Sequence, residues 1–164
     1  MEKHESIDTL LETSMYAKKA MQLFTEGYNC SQAVFLAFHD LYDIDMKSAL
    51  KLSSSFGGGM GRLREVCGSV SGMFMVAGVL YGYDDPVANN EKAQHYKRIQ
   101  DLAEQFKLYN GSIICRELLG LKQEKDSFVP EKRTDEYYQK RPCKELVGLS
   151  AALMEEYIKK YGVE

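Results

Sequence analysis

Four cysteines carry the chemistry that this sequence offers most clearly, and each lies where a helix is predicted to begin. They are Cys30, Cys67, Cys115 and Cys143. The first turn of a helix has unpaired N–H groups and the positive end of the helix dipole, and both favour a thiolate over a thiol. Because the thiolate is the form that acts as a nucleophile or a metal ligand, we expect one site that only the fold assembles from these four positions.

Short sequence signals around the cysteines indicate how helices would position them. Asn29 is a good N-cap and directly precedes Cys30. A glycine-rich stretch, SSSFGGGMGRLREV at 53–66, leads to Cys67. The other two cysteines begin two similar hexapeptides, CRELLG and CKELVG. The four cysteines therefore share one kind of position although they lie far apart along the chain.

The apolar residues recur at helical spacing through most of the chain. The predicted helices cover 6–24, 29–41, 45–52, 67–81, 89–109, 112–119 and 142–161, with a helical turn at 135–139 and a strand as the alternative for 73–80. The helix at 67–81 is apolar on all sides, so we expect it to be central, with its glycines compensated by close packing of a neighbouring helix. The predicted fold is all-α, a single-domain bundle (1–164) of about six to seven helices with a buried, glycine-containing central helix.

Composition restricts the classes of partner. Hydrophobic residues at 45% and charged residues at 27% are typical of a globular protein. A net charge of −3 argues against a nucleic-acid partner, and the basic clusters at 97–100 and 131–133 are interpreted as solvated helix faces because acids interleave with them. The N-terminus has no secretory signal and the apolar run at 70–81 is too short to span a bilayer. We therefore expect a cytoplasmic protein with no membrane contact and with reduced thiols.

The cysteine spacing leaves two kinds of chemistry open. The chain has no closely spaced ligand pair of the zinc-site type and no ferredoxin-like cysteine run, and it has no C-x-x-C-H motif for covalent haem. Four thiolates that converge in space would nevertheless suit an iron–sulfur cluster or another cysteine-ligated metal. Two cysteines within reach of each other could instead cycle between dithiol and disulfide. A third alternative is that the cysteines are inert, buried, small hydrophobic residues.

The glycine-rich stretch is a candidate for cofactor binding through Gly59, Gly61, Arg62 and Gly68. Glycine permits positive φ and close approach of the backbone, and Arg62 and Arg64 could bind an anion. The stretch lacks the phosphate-binding G-x-x-x-x-G-K-[ST] pattern, and no predicted strand precedes it. A tight turn that presents Cys67 is therefore favoured over a nucleotide site.

The ordered set of these elements resembles the redox-active C-GCAxxG-C-C family. The matching elements are NCSQAV around Cys30, CGSVSG at 67–72, CRELLG at Cys115 and PCKELVG at Cys143, within a region of about 18–160. Ser69 stands where the motif has alanine, a small-for-small change. The resemblance implies that the four cysteines act together in redox chemistry, and related domains in some cytochromes imply a haem or iron–sulfur partner as one option.

The leading interpretation is a cytosolic, redox-active protein whose four cysteines converge on one site. That site either exchanges thiols and disulfides, as in a thiol-based oxidoreductase, or binds an iron–sulfur cluster or metal for electron transfer. The alternative is a non-catalytic helical binding or scaffold protein with inert cysteines. Under either interpretation the glycine-containing central helix is compatible with a homodimer, and the redox partner is not identified by the sequence.

Overall fold

Helices account for all the regular structure in the described residues, 4–122 and 125–163 of this computed structural model, and no strand is formed there. The all-α prediction is therefore confirmed, but these described residues form nine helices instead of six to seven. They are α1 (Ile7–Thr13), α2 (Met15–Thr25), α3 (Cys30–Ala37), α4 (Met46–Ser53), α5 (Gly68–Tyr81), α6 (Asn89–Asn110), α7 (Cys115–Leu118), α8 (Asp135–Lys140) and α9 (Cys143–Tyr161).

The first predicted helix, 6–24, is two helices that meet at Ser14. The Ser14 backbone is extended, with ψ at 120°, and its N–H donates to the carbonyl of Leu10. Its hydroxyl accepts a hydrogen bond from the N–H of Ala17, 2.9 Å away, and so caps α2. The apolar spacing continues across Ser14 with little interruption, which is why periodicity alone joined the two helices.

Several predicted boundaries agree with the structure to within a residue or two. Asp45 caps α4 with its carboxylate, and Asn29 forms a capping box with Gln32 at the start of α3. The second predicted helix is shorter than expected, because α3 ends at Ala37 and a single 3₁₀ turn follows. The helix predicted at 112–119 starts later than expected, since α7 begins only at Cys115.

The central position predicted for the helix at 67–81 is confirmed, and the alternative of a strand at 73–80 is wrong. Helix α5 packs against α3, α6 and α9. A Cβ on Gly72 would lie 2.8 Å from the carbonyl oxygen of Ser31 and 2.9 Å from the Cβ of Val34. The glycine is thus required for the close crossing of α5 with α3. No helix among the described residues is long and apolar enough to cross a membrane.

The last helix closes the core. Helix α9 packs along α2 and also contacts α1, α3 and α5. A Cβ on Gly148 would come within 2.6 Å of the Leu11 side chain and 2.7 Å of the Met21 sulfur, so this glycine lets α9 approach the first two helices. The packing of α3, α5 and α9 against one another brings the first residues of these helices to the same end of the bundle.

Candidate functional site

The four cysteines line one cavity of about 280 Å³. Cys30, Cys115 and Cys143 are the first residues of α3, α7 and α9, and Cys67 is the residue directly before α5. The predicted position of each cysteine at a helix start is therefore confirmed. All four are free thiols; Cys67 and Cys115 are buried, at 5% and 6% exposed, and Cys30 and Cys143 are partly exposed.

Two glycines, one before α5 and one at its first position, make room for two of the cysteines. A Cβ on Gly59 would lie 2.6 Å from the Cβ of Cys115, and a Cβ on Gly68 would lie 3.1 Å from that of Cys30. Gly59, Gly61, Arg62 and Gly68, the predicted cofactor-binding residues, all line the cavity. For Gly59 and Gly68, the structure supplies a packing reason for glycine that needs no cofactor.

The glycine-rich stretch forms a left-handed turn between α4 and α5. Six residues of the turn have φ between 59° and 72°: Gly58, Gly59, Met60, Gly61, Arg62 and Arg64. Three of them are not glycine, and a left-handed backbone costs about 1–2 kcal/mol for each such residue. Strain of this kind is found where the surrounding structure holds a functional group in place; here it orients two arginine side chains.

A loop segment between α7 and α8 anchors those two arginines. The Asp126 carboxylate lies 3.1 Å from the guanidinium of Arg62 and 3.0 Å from that of Arg64. The Asp126 N–H donates to the carbonyl of Arg62, and the Arg62 Nε donates to the carbonyl of Ser127. The hydrogen bond from Arg64 is the main reason that the pKa of Asp126 is lowered. The loop is thereby fixed over the turn that borders the cavity.

Cys30 and Cys143 interact with each other inside the cavity. A hydrogen bond from the Cys30 thiol lowers the pKa of Cys143, although burial opposes this effect. The same interaction, together with burial, raises the pKa of Cys30 well above its ordinary value. Positive charge further favours the Cys143 thiolate, and it comes from Arg141, Arg64 and Arg133. Cys143 is thus the member of the pair that ionises first, and Cys30 keeps its proton.

The two buried cysteines have environments that keep them protonated. Burial raises the pKa of Cys67 to about 11, against a hydrogen bond with Ser69 that lowers it. The Cys67 sulfur lies 3.1 Å from the Ser69 hydroxyl, which accepts a hydrogen bond from Ser150 at 3.0 Å. Burial also raises the pKa of Cys115 even though the Arg64 guanidinium lies 3.6 Å from its sulfur.

The expectation that every helix start favours a thiolate is therefore wrong for three of the four cysteines. At Cys67 and Cys115 the desolvation of a charged sulfur outweighs the neighbouring hydrogen-bond donors, so the pKa of each thiol is raised. At Cys30 the nearby Cys143 holds the negative charge, so a second thiolate is disfavoured. Only Cys143 combines partial exposure with enough positive charge and hydrogen bonding to have a lowered pKa.

The donor groups do not form a metal site as the structure places them. Among residues 4–122 and 125–163, no three side chains of the His, Cys, Asp or Glu type lie close enough together to hold one metal ion. The four cysteines border a common cavity without being a common ligand set. As the structure places them, the described side chains therefore do not fit a single metal ion.

Two arginines within 131–142 also line the cavity, and their sequence pattern did not predict this. The guanidinium of Arg133 donates to the carbonyls of Phe24 and Tyr28, at 3.0 and 3.1 Å, and lies 4.2 Å from the centre of the Phe24 ring. Arg141 pairs with Glu131 at 2.7 Å. Both arginines line the cavity, so the interpretation of 131–133 as a solvated face is wrong for Arg133. In the sequence both are basic residues of a polar stretch, and nothing there distinguishes them from arginines that are exposed to solvent.

Comparison with known proteins bears on the class of chemistry. A family model described as "Putative redox-active protein (C_GCAxxG_C_C)" matches residues 28–157, a range that contains all four cysteines. No curated protein and no solved structure matches the chain. Because the family model covers most of the sequence, this chain belongs to the redox-active C_GCAxxG_C_C family.

Proposed function

We propose that this protein is a dithiol oxidoreductase in which Cys143 is the attacking thiolate and Cys30 is the resolving thiol. The observation that carries the proposal is that these two partly exposed cysteines, from the starts of α3 and α9, line one cavity together with arginines. Within it, a hydrogen bond from Cys30 lowers the pKa of Cys143. A dithiol cycle needs two sulfurs within reach of each other and of a substrate. Cys67 and Cys115 border the same cavity but are buried.

The reaction is balanced with a disulfide substrate, RSSR, as the oxidant. The Cys143 thiolate attacks one sulfur of RSSR, so that a mixed disulfide forms and RS⁻ leaves. Cys30 then loses its proton to a leaving thiolate and attacks the Cys143 sulfur. The second RS⁻ departs as the Cys30–Cys143 disulfide forms. Two electrons pass from the protein dithiol to the substrate, and the reverse sequence would oxidise a dithiol.

The environments of the two sulfurs suit these different roles. A thiol attacks as a thiolate, and a lowered pKa increases the thiolate fraction at neutral pH. Positive charge from Arg141 and Arg133 supports that state at Cys143. The Cys30 proton serves twice, because it first stabilises the Cys143 thiolate by a hydrogen bond and is then available to the leaving group.

Cysteine variants test the assignment directly. The reduced protein is exposed, without oxygen, to a graded series of oxidised and reduced dithiothreitol, and the disulfides are mapped by mass spectrometry. We expect a Cys30–Cys143 disulfide in the wild type. Cys30→Ser should accumulate a mixed disulfide at Cys143 when a linear disulfide is supplied. Cys143→Ser should lose fast reaction, and Cys67→Ser is the matched control that should retain it.

Two outcomes would contradict the proposal. If all four native thiols react slowly and no intramolecular disulfide forms at any redox potential, the inert binding or scaffold interpretation is favoured. If protein purified without oxygen and without a metal-affinity tag contains stoichiometric iron or zinc that is lost in Cys143→Ser, the metal-binding interpretation is favoured. A disulfide that joins other cysteines first would retain the redox class but reject the assigned pair.

A further inference from the structure

Arg133 differs from the other arginines that line the cavity. Arg62 and Arg64 share Asp126, and Arg141 pairs with Glu131. Among the described residues, Arg133 pairs with no carboxylate and instead donates to two backbone carbonyls at the end of α2 and just beyond it. Contact with an aromatic ring at 4.2 Å fixes the plane of its guanidinium further.

The cavity consequently has an excess of positive charge. Four arginines line it, and among the described residues only two carboxylates pair with them, those of Asp126 and Glu131. When Cys143 is ionised, its thiolate offsets part of the remaining charge. A guanidinium that is held by carbonyls keeps its full positive charge, since carbonyls supply only partial negative charge. An anionic ligand bound at Arg133 would neutralise this remaining positive charge.

The dimensions of the cavity restrict what that ligand could be. A volume of about 280 Å³ is near the lower end of the ~300–1,000 Å³ range of small-molecule sites. Apolar groups also border it, among them Leu118, Leu119 and Phe128. These features suit a small ligand with a short apolar stem and a negatively charged end, and not a folded protein partner.

We propose that the substrate of the Cys30–Cys143 pair is a small disulfide that carries carboxylates, one of which binds the guanidinium of Arg133. This inference rests on the proposed dithiol function. Arginine binds carboxylates through two parallel N–H donors, which orients the ligand as well as holding it. The bond changes are those of the dithiol cycle: the substrate S–S bond breaks and the Cys30–Cys143 bond forms. One substrate sulfur leaves as a thiol that carries the Cys30 proton, and the other leaves as a thiolate.

The charge of the substrate makes the inference testable. A thiolate repels an anionic disulfide, so an unfolded chain should react more slowly with an anionic disulfide than with a neutral one. A receptor at Arg133 would reverse this order in the folded protein. The relevant quantity is thus the ratio of the two rates, because changes in the pKa of Cys143 affect both rates alike and cancel.

The experiment uses three disulfides of similar size: dithiodipropionate, which is anionic, hydroxyethyl disulfide, which is neutral, and cystamine, which is cationic. Two rates are measured with each disulfide: the rate at which the Cys30–Cys143 disulfide forms in the native protein, and the rate at which the thiols of the same chain are oxidised in urea. We expect the anionic-to-neutral ratio to be at least about tenfold higher in the native protein, the order of effect of one charged hydrogen bond. Added potassium chloride should reduce this preference.

Two substitutions locate the receptor. Arg133→Gln should lower the anionic-to-neutral ratio by about tenfold, and Arg133→Lys should keep part of it. The matched control is Arg98→Gln, which removes the same charge from another guanidinium that lies over an aromatic ring, that of Tyr81 at 4.8 Å, and donates to Tyr157. It should leave the ratio unchanged because Arg98 does not line the cavity.

The outcomes separate the two proposals. If no probe produces the Cys30–Cys143 disulfide, the proposed function fails. The disulfide could form while the anionic-to-neutral rate ratio is similar in the native and the unfolded chain, or while Arg133→Gln keeps the preference. In either case only the anionic-substrate inference fails. An equal loss in Arg98→Gln would attribute the preference to net charge and overturn the assignment to Arg133. If Arg133→Gln does not fold, a wild-type anionic-to-neutral ratio that does not fall with added salt would still refute the inference.

Discussion

Gly59→Ala should destabilise the protein through both backbone strain and a clash with Cys115. The glycine has φ at +72°, so an alanine there costs about 1–2 kcal/mol in the left-handed region. The added Cβ would also lie 2.6 Å from the Cβ of Cys115 and 2.8 Å from the Cα of Arg64. Overpacking of this kind costs about 1–3 kcal/mol, so we expect a total loss of about 2–5 kcal/mol.

A second glycine separates the two contributions. Gly111 has φ at +78°, but a Cβ there would have no neighbour within 4 Å. Gly111→Ala should therefore cost only the backbone term, about 1–2 kcal/mol. The effect of alanine on the unfolded chain is the same in both variants and cancels in their difference.

The assay is equilibrium urea unfolding of the reduced protein, with the free energy of unfolding compared at equal m-values. A parallel measurement of Cys115 alkylation tests whether the clash opens the cavity, in which case this buried thiol should react faster in Gly59→Ala than in Gly111→Ala. If the two variants lose the same stability and Cys115 remains protected in both, then the glycine is not required for the approach of Cys115, and the packing account of the turn is refuted.

Three further predictions concern the surroundings of the cavity. Burial raises the pKa of Cys67 from 9.0 to about 11. The buried thiol therefore contributes stability that is fully present below pH 9 and is lost as the pH rises to about 11. Over that range the free energy of unfolding should fall by about 3 kcal/mol more in the wild type than in Cys67→Ala. Ser150→Ala removes the donor to the buried Ser69 hydroxyl and should cost about 1–2 kcal/mol in urea unfolding, whereas an unchanged midpoint would show that this hydrogen bond is dispensable. Asp126→Asn breaks the shared ion pair with the left-handed turn, so limited proteolysis within 125–134 should become several-fold faster while cleavage elsewhere is unchanged.

The pH dependence of the Cys143 thiol offers a check on the redox pair. Because its pKa is lowered, its alkylation rate should reach a plateau at a lower pH than that of an ordinary thiol. Cys30→Ala removes the hydrogen-bond donor and should move this plateau to higher pH. Cys67→Ala is the matched control and should leave it in place. If Cys143 titrates as an ordinary thiol in the wild type, then its assignment as the attacking group loses its electrostatic basis.

Local signals were sufficient to predict most helices and the position of each cysteine at a helix start. Asn29 and Asp45 act as caps within three residues of themselves, so their effect is readable in the sequence. The break at Ser14 was missed, because a serine between apolar residues is compatible with both a continuous helix and a capped restart. The helix count was too low because the predicted helix at 6–24 is two helices and because the helical turn predicted at 135–139 is a short helix, α8.

The glycine-rich stretch was recognised as irregular, but its specific role was not predictable. Sequence indicated positive φ at the glycines, and the structure adds the same conformation at Met60, Arg62 and Arg64. Nothing local favours a left-handed backbone at those three residues. They adopt it because contacts from elsewhere, including the ion pairs of Asp126, hold the turn in place.

The sequence by itself determined that the protein is helical and that its four cysteines begin helices, because helix formation and capping depend on residues a few positions apart. Only the tertiary structure decided which cysteine is suited to ionise. The ionisation of a thiol depends on desolvation and on charges within a few ångströms, and the groups that matter at Cys143 include Cys30 and Arg64, which are distant in sequence. Burial at Cys67 and Cys115 reverses the tendency that their helix starts would otherwise give them.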